Sequence, residues 1–219
     1  MPPASTIRVF LVDDHTLVRR ALRGILESDP DITVVGEATN GLAALAACRR
    51  AKPAVVVMDI SLPGMNGIDA ARNIVAAFPE VALVMLSMHG TELYVRESLK
   101  AGAMGYVLKD DADRQLLAAV KAVAAGQRYF SPAVERLLVA GAVDQIAAAT
   151  SPDEFWSLTG REREVVQLIA EGRNTRQIAR ILGIAAATVA AHRAAAMEKL
   201  DLHNTAEIVR FAVRSGVVR

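Results

Sequence analysis

The 219-residue chain has little of what would indicate disulfide, zinc or membrane chemistry. Its single cysteine, Cys48, excludes an intramolecular disulfide and a zinc site built from cysteines. Aromatic residues make up only 4% of the chain, which argues against a stacking platform for single-stranded nucleic acid. The N-terminus lacks the basic-then-apolar pattern of a signal peptide, and every apolar run of membrane-spanning length contains charged residues. We therefore expect a soluble, cytoplasmic protein with no membrane partner.

The composition permits buried cores but predicts no strong electrostatic field. Apolar residues make up 53% of the chain, and the formal net charge is only +1. A chain of this length folds as one large domain or two small ones. Any attraction to nucleic acid must therefore come from local clusters of charge rather than from the whole molecule.

The N-terminal part alternates short apolar runs with amphipathic segments from Ile7 to about Gly126. The runs are rich in β-branched residues and apolar on both faces, as in strands of a parallel sheet covered by helices. The five predicted strands are Ile7–Val12, Thr33–Glu37, Ala54–Met58, Val81–Leu86 and Gly105–Leu108. The five predicted helices are Thr16–Glu27, Leu42–Arg50, Ile68–Phe78, Glu92–Ala101 and Asp113–Ala125. This order predicts an α/β fold with a doubly wound (βα)5 parallel sheet.

The C-terminal part shows only helical periodicity and predicts a second, smaller, all-α domain of four helices. Thr159 and Glu162 form a capping-box pattern at the first helix, and Gly183 separates the second helix from the third. In the second helix we expect four side chains to point inward: Ile178, Ala179, Ile181 and Leu182. Two helices joined by a short glycine turn are typical of a domain that lays the later helix in a DNA major groove.

Five polar residues stand where four predicted strands end. Asp13 and Asp14 follow the first strand, and Asp59, Ser87 and Lys109 follow the third, fourth and fifth. Ligands of open α/β sheets bind at this edge, where three carboxylates repel one another unless a cation binds or one is protonated. Hard oxygen ligands suit Mg²⁺. We prefer this interpretation to one in which the same residues only cap helices and contact water.

The chemistry of these five residues suits phosphoryl transfer. Asp59, on the central strand, is the candidate nucleophile for an aspartyl phosphate. Lys109 offers a positive charge to a phosphoryl oxygen, and Ser87 offers a hydroxyl hydrogen bond to another. We expect His15 and His89 to lie at the rim of the pocket rather than to bind metal.

Four segments together resemble the receiver domains of two-component response regulators. They are Val12–His15, Met58–Gly67, Leu86–Ser87 and Gly105–Lys109. The resemblance implies that a sensor histidine kinase phosphorylates Asp59, with Mg²⁺ held by Asp13, Asp14, the Asp59 carboxylate and the main-chain carbonyl of Ser61. It also implies a switch in which Ser87 moves toward the phosphate and Tyr106 turns into the vacated space. The alternative for Tyr106 is simple packing on the sheet.

The C-terminal part resembles the helix-turn-helix of the LuxR type, so the whole chain resembles response regulators of the NarL/FixJ type. The resemblance covers nearly the whole chain and implies a phosphorylation-switched transcription regulator that acts on double-stranded DNA as a homodimer. We assign the receiver domain to residues 6–126, a linker to 127–153 and the helix-turn-helix domain to 154–219. The apolar face Ile208–Ala212 of the last helix serves either as a dimer contact or as part of the domain core.

The predicted recognition helix departs from the family pattern because alanine occupies positions where the family has basic or polar residues. These positions are Ala190, Ala191, Ala194 and Ala195. Alanine can touch a thymine methyl group but cannot hydrogen-bond to a base edge. The remaining candidate contacts are Thr188, His192, Arg193 and Lys199, with Arg173, Arg176 and Arg180 for phosphates. We therefore predict weak DNA binding by one subunit, strengthened by dimerisation or accessory sites.

The sequence is also compatible with two other classes of function. One is a receiver protein whose alanine-rich helix no longer reads DNA and which acts by protein–protein interaction or as a phosphate sink. The other is an enzyme with an aspartyl-phosphate intermediate, such as a phosphatase on a similar sheet. Such phosphatases share an Asp-x-Asp motif after the first strand and usually a cap domain. In this sequence Asp13 and Asp14 are adjacent, and no cap insertion is present. We therefore expect that the protein is not an enzyme.

Overall fold

The computed structural model describes residues 6–88, 90–144 and 154–218. Within these ranges the chain forms two compact units, one built on a β-sheet and one made of helices. No single helix of the described chain is long and apolar enough to cross a membrane. Two consecutive helices, Thr175–Leu182 and Ala186–Lys199, are long and apolar enough when taken together, but a bend of 105° separates them.

The N-terminal unit is a parallel sheet of six strands in the order β2-β1-β3-β4-β5-β6. Its strands are β1 Ile7–Val12, β2 Ile32–Ala38, β3 Val55–Asp59, β4 Ala82–Ser87, β5 Gly105–Leu108 and β6 Tyr129–Phe130. The chain moves from β1 to β2 on one side and then to β3 on the other, so the strand order reverses between β1 and β3. The predicted doubly wound α/β fold is thereby confirmed, and the reversal lies where such folds bind ligands.

Five helices connect the strands and follow the five predicted segments to within about two residues. They are α1 Thr16–Glu27, α2 Gly41–Ala51, α3 Gly67–Ala77, α4 Glu92–Lys100 and α5 Ala112–Ala124, and a sixth helix, α6 Pro132–Asp144, follows the last strand. Alternate residues of the central strands, such as Val9 and Leu11, pack in one core with Leu26 of α1 and Leu116 of α5. The intervening strand residues, such as Phe10, are buried as well. Burial on both faces explains why the strands are continuous apolar runs rather than alternating ones.

The sixth strand extends the predicted sheet, and α6 lies within the predicted linker, whose Ser131–Thr150 part the sequence predicts to be helical or partly helical. Gly105 and Tyr106 of β5 pair with Tyr129 and Phe130 of β6, and Pro132 then begins α6. Proline is favourable at a helix start because its missing N–H would have no partner there. Two residues are too few for strand periodicity to be visible in the sequence. The later part of the predicted linker, residues 145–153, lies outside the described residues.

The C-terminal unit contains a short turn of helix followed by four helices. They are α7 Glu154–Ser157, α8 Gly160–Ala170, α9 Thr175–Leu182, α10 Ala186–Lys199 and α11 Thr205–Arg214. The predicted capping box is present: the Thr159 hydroxyl accepts from the Glu162 amide at 3.4 Å, and Glu162 accepts from the Thr159 amide at 2.8 Å. Gly183 ends α9 in the left-handed conformation with φ of 65°. The predicted helix-turn-helix is confirmed.

The core of this unit is formed by apolar side chains from each helix, and it corrects one predicted position. Ile178 of α9 is buried, and Leu182, four residues later, packs against the core. Ile181 is 40% exposed, so the prediction that it points inward is wrong. The buried stripe of α9 runs through Ile178 and Leu182, and Ile181 lies to one side of it.

The last helix contributes to the same core. Ile208, Phe211 and Ala212 of α11 are buried. Ile208 and Phe211 pack in the apolar cluster of the helical unit. This favours the interpretation in which the face Ile208–Ala212 closes the domain core over the one in which it forms a dimer contact.

Candidate functional site

An acidic pocket lies at the carboxyl ends of β1 and β3, on either side of the reversal in strand order. Asp13 follows β1 directly and Asp59 is the last residue of β3, and each is only 1% exposed. Ligand atoms of Asp13, Asp14, His15 and Asp59 all lie within 4.8 Å of one another. The topology therefore brings together the three carboxylates that the sequence predicted to meet.

Lys109 supplies a positive charge between two of these carboxylates. Its Nζ lies 2.7 Å from Asp13 Oδ2 and 2.7 Å from Asp59 Oδ2. It is the first residue of a 3₁₀ turn, Lys109–Asp111, that follows β5. One ammonium group thus offsets part of the repulsion between two buried anions, which would otherwise be costly.

The Asp59 side chain is held from its own loop as well as by Lys109. Its Oδ1 accepts a hydrogen bond from the Ser61 amide at 3.2 Å. Burial raises the pKa of Asp59 above its ordinary value, and the Lys109 ammonium offsets only part of that rise. The carboxylate is consequently less stable as an anion than an exposed aspartate, and binding of a cation would favour its charged form.

Asp14 and His15 form the more open side of the pocket. The Asp14 side chain is 32% exposed, yet its Oδ1 is buried and accepts no hydrogen bond from the described residues. His15 Nδ1 lies 2.8 Å from that oxygen but outside hydrogen-bond geometry, and the His15 amide donates to Asp13 Oδ1 at 2.8 Å. The His15 side chain is 45% exposed, so it lies at the rim of the pocket while contacting Asp14. His89 lies outside the described residues.

The donor set fits a hard divalent cation. Three carboxylates converge, and Ser61, whose main-chain carbonyl is the fourth predicted ligand, lies in the loop directly after Asp59. The buried Asp14 oxygen without a hydrogen bond is the kind of atom that a cation satisfies. Oxygen ligands with partial access to water are the environment that Mg²⁺ prefers, so the residues present fit this ion.

Glycine is required where the loop after Asp59 returns to the sheet. A Cβ atom on Gly67 would lie 1.9 Å from the Asp59 carbonyl oxygen, and the Gly67 amide donates to the Ile60 carbonyl at 2.8 Å. Gly64, within the same loop, has φ of 77°, which side chains disfavour. Gly67 thus lets the chain pass tightly against the end of β3.

Ser87 and Tyr106 are buried together on neighbouring strands. Ser87 is the last residue of β4, Tyr106 belongs to β5, and their side chains form a hydrogen bond. Burial raises the pKa of the Tyr106 phenol. Tyr106 also contacts the following segment, because the Ser131 amide donates to its carbonyl at 3.1 Å. The polar end of Tyr106 therefore meets the serine that is predicted to bind phosphate, and the switch role of Tyr106 stays a prediction.

The helix-turn-helix presents a surface with few hydrogen-bonding groups. Val189 and Ala196 of α10 are buried, while Thr188 and most of the alanines around it are exposed. Three predicted phosphate contacts, Arg173, Arg176 and Arg180, are exposed as well. Among the described residues, the side chains of these arginines have no hydrogen bond or ion pair. They are consequently available to a phosphate backbone.

Two of the other predicted DNA contacts have partners within the domain. Lys199 Nζ lies 2.9 and 2.8 Å from the two Glu162 carboxylate oxygens, and Arg193 Nη2 donates to Thr205 Oγ1 at 2.8 Å. His192 is half-buried. The sequence placed Glu162 in a capping box but gave no sign that Lys199, 37 residues later, would pair with it. Their roles at DNA remain predictions.

Comparison with known families gives two matches in chain order. Residues 9–121 match the model of the response regulator receiver domain. Residues 156–212 match the model of the bacterial regulatory proteins of the luxR family. The first match contains the acidic pocket, and the second contains the helix-turn-helix.

Similarity to relatives extends over nearly the whole length of both chains. The chain is 38% identical over 212 residues to the transcriptional regulatory protein MctR of Rhizobium johnstonii, covering 97% of this chain and 95% of that protein. It is 35% identical over 211 residues to the response regulator UvrY of Escherichia coli, covering 96% and 95%. A solved complex of the two-component response regulator RcsB with DNA is similar in structure, with a TM-score of 0.60 and 27% identity over 98% of this chain and 100% of that one.

Proposed function

Because the chain belongs to the two-component response regulators that join a receiver domain to a LuxR-type DNA-binding domain, we propose that Asp59 is its phosphoacceptor. The observation that carries this proposal is the position of Lys109 between the buried carboxylates of Asp13 and Asp59. A buried nucleophile beside a fixed cation is what a phosphoryl acceptor requires. The partner that supplies the phosphoryl group is a sensor histidine kinase.

In the proposed reaction, an Asp59 carboxylate oxygen attacks the phosphorus of a phosphohistidine. The P–N bond breaks, the histidine of the kinase leaves, and an acyl phosphate forms on Asp59. The Lys109 ammonium then moves from pairing two carboxylates to pairing a phosphoryl oxygen, and the Ser87 hydroxyl donates to another. The burial that raises the pKa of Asp59 also excludes the water that would compete with the carboxylate.

Asp13, Asp14, Asp59 and the carbonyl of Ser61 would hold Mg²⁺ beside the acceptor. When bound, the ion neutralises negative charge on the phosphoryl oxygens. The role of this chain's own residues is to fix the oxygens: Asp13 through Lys109 and the His15 amide, and Asp59 through Lys109 and the Ser61 amide.

Phosphorylation would act on the Ser87–Tyr106 pair. Recruitment of Ser87 by the phosphate breaks its hydrogen bond with Tyr106 and changes the surface around β5. We assign the receiver core to residues 6–126 and the DNA-binding domain to 154–219, joined by a segment, 127–153, whose β6 continues the receiver sheet and is followed by α6. In the cytoplasm, where the DNA is found, the phosphorylated protein would bind double-stranded DNA as a homodimer, with α10 in the major groove and Arg173, Arg176 and Arg180 on phosphates.

The similarity to the RcsB–DNA complex supports DNA binding over the alternative of a protein-interaction or phosphate-sink role. The exposed alanines of α10 support weak binding by a single subunit, because they offer no hydrogen bonds to bases. DNA capture at low salt separates the two functions. Retention on DNA that increases with phosphorylation supports the proposal, and no retention in either state contradicts its DNA-binding part.

The phosphoacceptor is tested by incubating the full chain with Mg²⁺ and acetyl phosphate and measuring intact mass. We expect one acid-labile phosphoryl adduct on the wild type and none on Asp59→Asn. Asp69→Asn is the matched control, because Asp69 is also a buried carboxylate but pairs with Arg72 on α3. An adduct that persists in Asp59→Asn would place the phosphoacceptor elsewhere.

A further inference from the structure

Arg19, in the first turn of α1, makes two directed contacts near the acidic pocket. Its Nη1 donates to the main-chain carbonyl of Asp13 at 2.8 Å, and its Nε donates to Glu37 Oε2 at 2.7 Å. Its side chain is only 12% exposed. A planar guanidinium holds two acceptors in a fixed relation, which a lysine ammonium on a flexible stem does not.

Together with a backbone hydrogen bond, these contacts link β2 to the turn that carries Asp13 and Asp14. The Asp13 amide donates to the Ala38 carbonyl at 3.2 Å. Glu37, the residue before Ala38, accepts the hydrogen bond from Arg19 Nε. The Asp13 peptide is thus held through its N–H by the end of β2 and through its carbonyl by Arg19, which is itself anchored to β2. The backbone of the turn is fixed on both sides of Asp13.

Fixing this turn matters because the pocket collects like charges. Asp13, Asp14 and Asp59 repel one another when no cation is bound, so the turn after β1 must hold Asp13 and Asp14 in place against that repulsion. Groups that orient metal ligands strongly affect metal affinity even though they never touch the ion. Arg19 contacts the Asp13 carbonyl, so it can act only through the backbone.

We propose that Arg19 is a positioning residue for the metal-binding carboxylates, holding the Asp13 carbonyl against Glu37 so that Asp13 and Asp14 project into the pocket together. This inference rests on the proposed function, since it assumes that the carboxylates bind Mg²⁺. Partial burial raises the pKa of Glu37, but hydrogen bonds from Arg19 and Arg23 outweigh this and lower it, so Glu37 remains an anionic anchor.

The chain contains a matched control. Arg23 lies one turn further along α1 and donates from its Nε to Glu37 Oε1 at 2.7 Å. Among the described residues it makes no hydrogen bond to Asp13. Each of the substitutions Arg19→Met and Arg23→Met removes one positive charge and one hydrogen bond to Glu37. Arg23→Met also removes a contact from Nη1 to Glu27 Oε1 at 3.4 Å, and only Arg19→Met releases the Asp13 carbonyl.

The experiment is isothermal titration calorimetry of Mg²⁺ into the full chain, combined with phosphorylation by acetyl phosphate over a range of Mg²⁺ concentrations. We expect Arg19→Met to raise the Mg²⁺ Kd about tenfold or more, and Arg23→Met to change it less than about twofold. The KM for Mg²⁺ should rise in Arg19→Met while the rate at saturating Mg²⁺ falls much less. The Mg²⁺ Kd of Arg19→Lys should lie between those of the wild type and Arg19→Met. An ammonium group can donate to the Asp13 carbonyl, but it cannot hold this carbonyl and Glu37 in the fixed geometry of a guanidinium.

The outcomes separate this inference from the proposed function. Wild-type protein that fails to bind Mg²⁺ overturns the proposed site and with it this inference. Mg²⁺ binding by the wild type with an unchanged Kd in Arg19→Met overturns the positioning role alone, and equal losses of unfolding free energy in both methionine variants would then identify Arg19 as a purely structural residue. If Arg19→Met does not fold, Arg19→Lys decides: a Kd at least about threefold above that of the wild type supports the role, and an unchanged Kd overturns it.

Discussion

The acidic pocket and the exposed face of α10 differ in how many fixed polar contacts they offer. In the pocket, Asp13, Asp59 and Lys109 are joined by contacts of 2.7 Å, and neighbouring amides hold the two carboxylates. On α10, alanine occupies most of the exposed positions, and Lys199 pairs with Glu162. The proposed phosphoryl site is preorganised, whereas the proposed DNA-binding surface has few directional groups.

The difference indicates where this regulator can obtain specificity. Phosphoryl transfer needs groups placed accurately, and the pocket draws them from positions as far as 96 residues apart in the chain. DNA binding can instead gain affinity from phosphate contacts, shape and a second subunit without many base-edge hydrogen bonds. Changes in the pocket should therefore abolish function, while changes on α10 should adjust affinity in either direction.

Loss of the central cation should produce the largest effect. We expect Lys109→Met to slow phosphorylation by acetyl phosphate by about 10²–10³-fold, because the phosphoryl oxygens lose a preplaced positive charge in a buried site. The measurement is the initial rate of adduct formation at saturating Mg²⁺. Lys121→Met, which removes a lysine paired with Asp29 and Asp31, is the control and should leave the rate unchanged. A rate within threefold of the wild type in Lys109→Met would show that the pocket does not depend on this residue.

Adding a charge to α10 should have a smaller effect of opposite sign. We expect Ala190→Lys to tighten DNA binding about tenfold at low salt and to steepen the dependence of log K on log salt by about one, through one added phosphate contact. Ala190 is exposed, and so is Ala21 on α1, which provides a control with the same change in net charge. Equal gains from Ala190→Lys and Ala21→Lys would mean that overall charge, not the position on α10, determines binding.

The same contrast explains what the sequence could predict. The pocket residues were predictable because parallel strands end at one edge, so Asp13, Asp59 and Lys109 must meet whatever the details of packing. The partners of Arg193 and Lys199 were not predictable, because they depend on how α8, α10 and α11 pack. Ile181 was misplaced for a related reason, since an eight-residue helix shows too little periodicity to define a narrow buried stripe.

The contact between Arg19 and Glu37, which links α1 to β2 beside the pocket, could not be predicted from the sequence either. Arg19 and Glu37 lie 18 residues apart on elements with different periodicity, and nothing in either segment indicates that their side chains meet. The two-residue β6 was too short to be recognised. Contacts set by strand topology were thus predictable, and contacts set by long side chains were not.

Neutralising Glu162 should have the smallest effect, and it tests whether Lys199 belongs to the domain or to the DNA surface. Partial burial raises the pKa of Glu162, but the hydrogen bonds from Lys199 and Thr159 outweigh this and lower it below its ordinary value of 4.5. When folding lowers the pKa of a carboxyl group, the group stabilises the fold at pH values above its pKa in the unfolded chain. This contribution is lost as the pH falls through its pKa in the folded protein. We expect Glu162→Gln to cost about 0.5–1 kcal/mol of unfolding free energy at pH 7 and almost nothing near pH 3.

Urea unfolding at the two pH values measures this difference, with Glu198→Gln, an exposed position on α10, as the control that should show no such dependence. Glutamine can still accept the bond from the Thr159 amide, so the loss reports mainly on the pair with Lys199. The same variant releases the Lys199 ammonium. Tighter DNA binding by Glu162→Gln would identify Lys199 as a DNA contact held back by Glu162, whereas unchanged binding would identify it as a residue that stabilises the domain, leaving the exposed arginines of α9 as the main source of phosphate contacts.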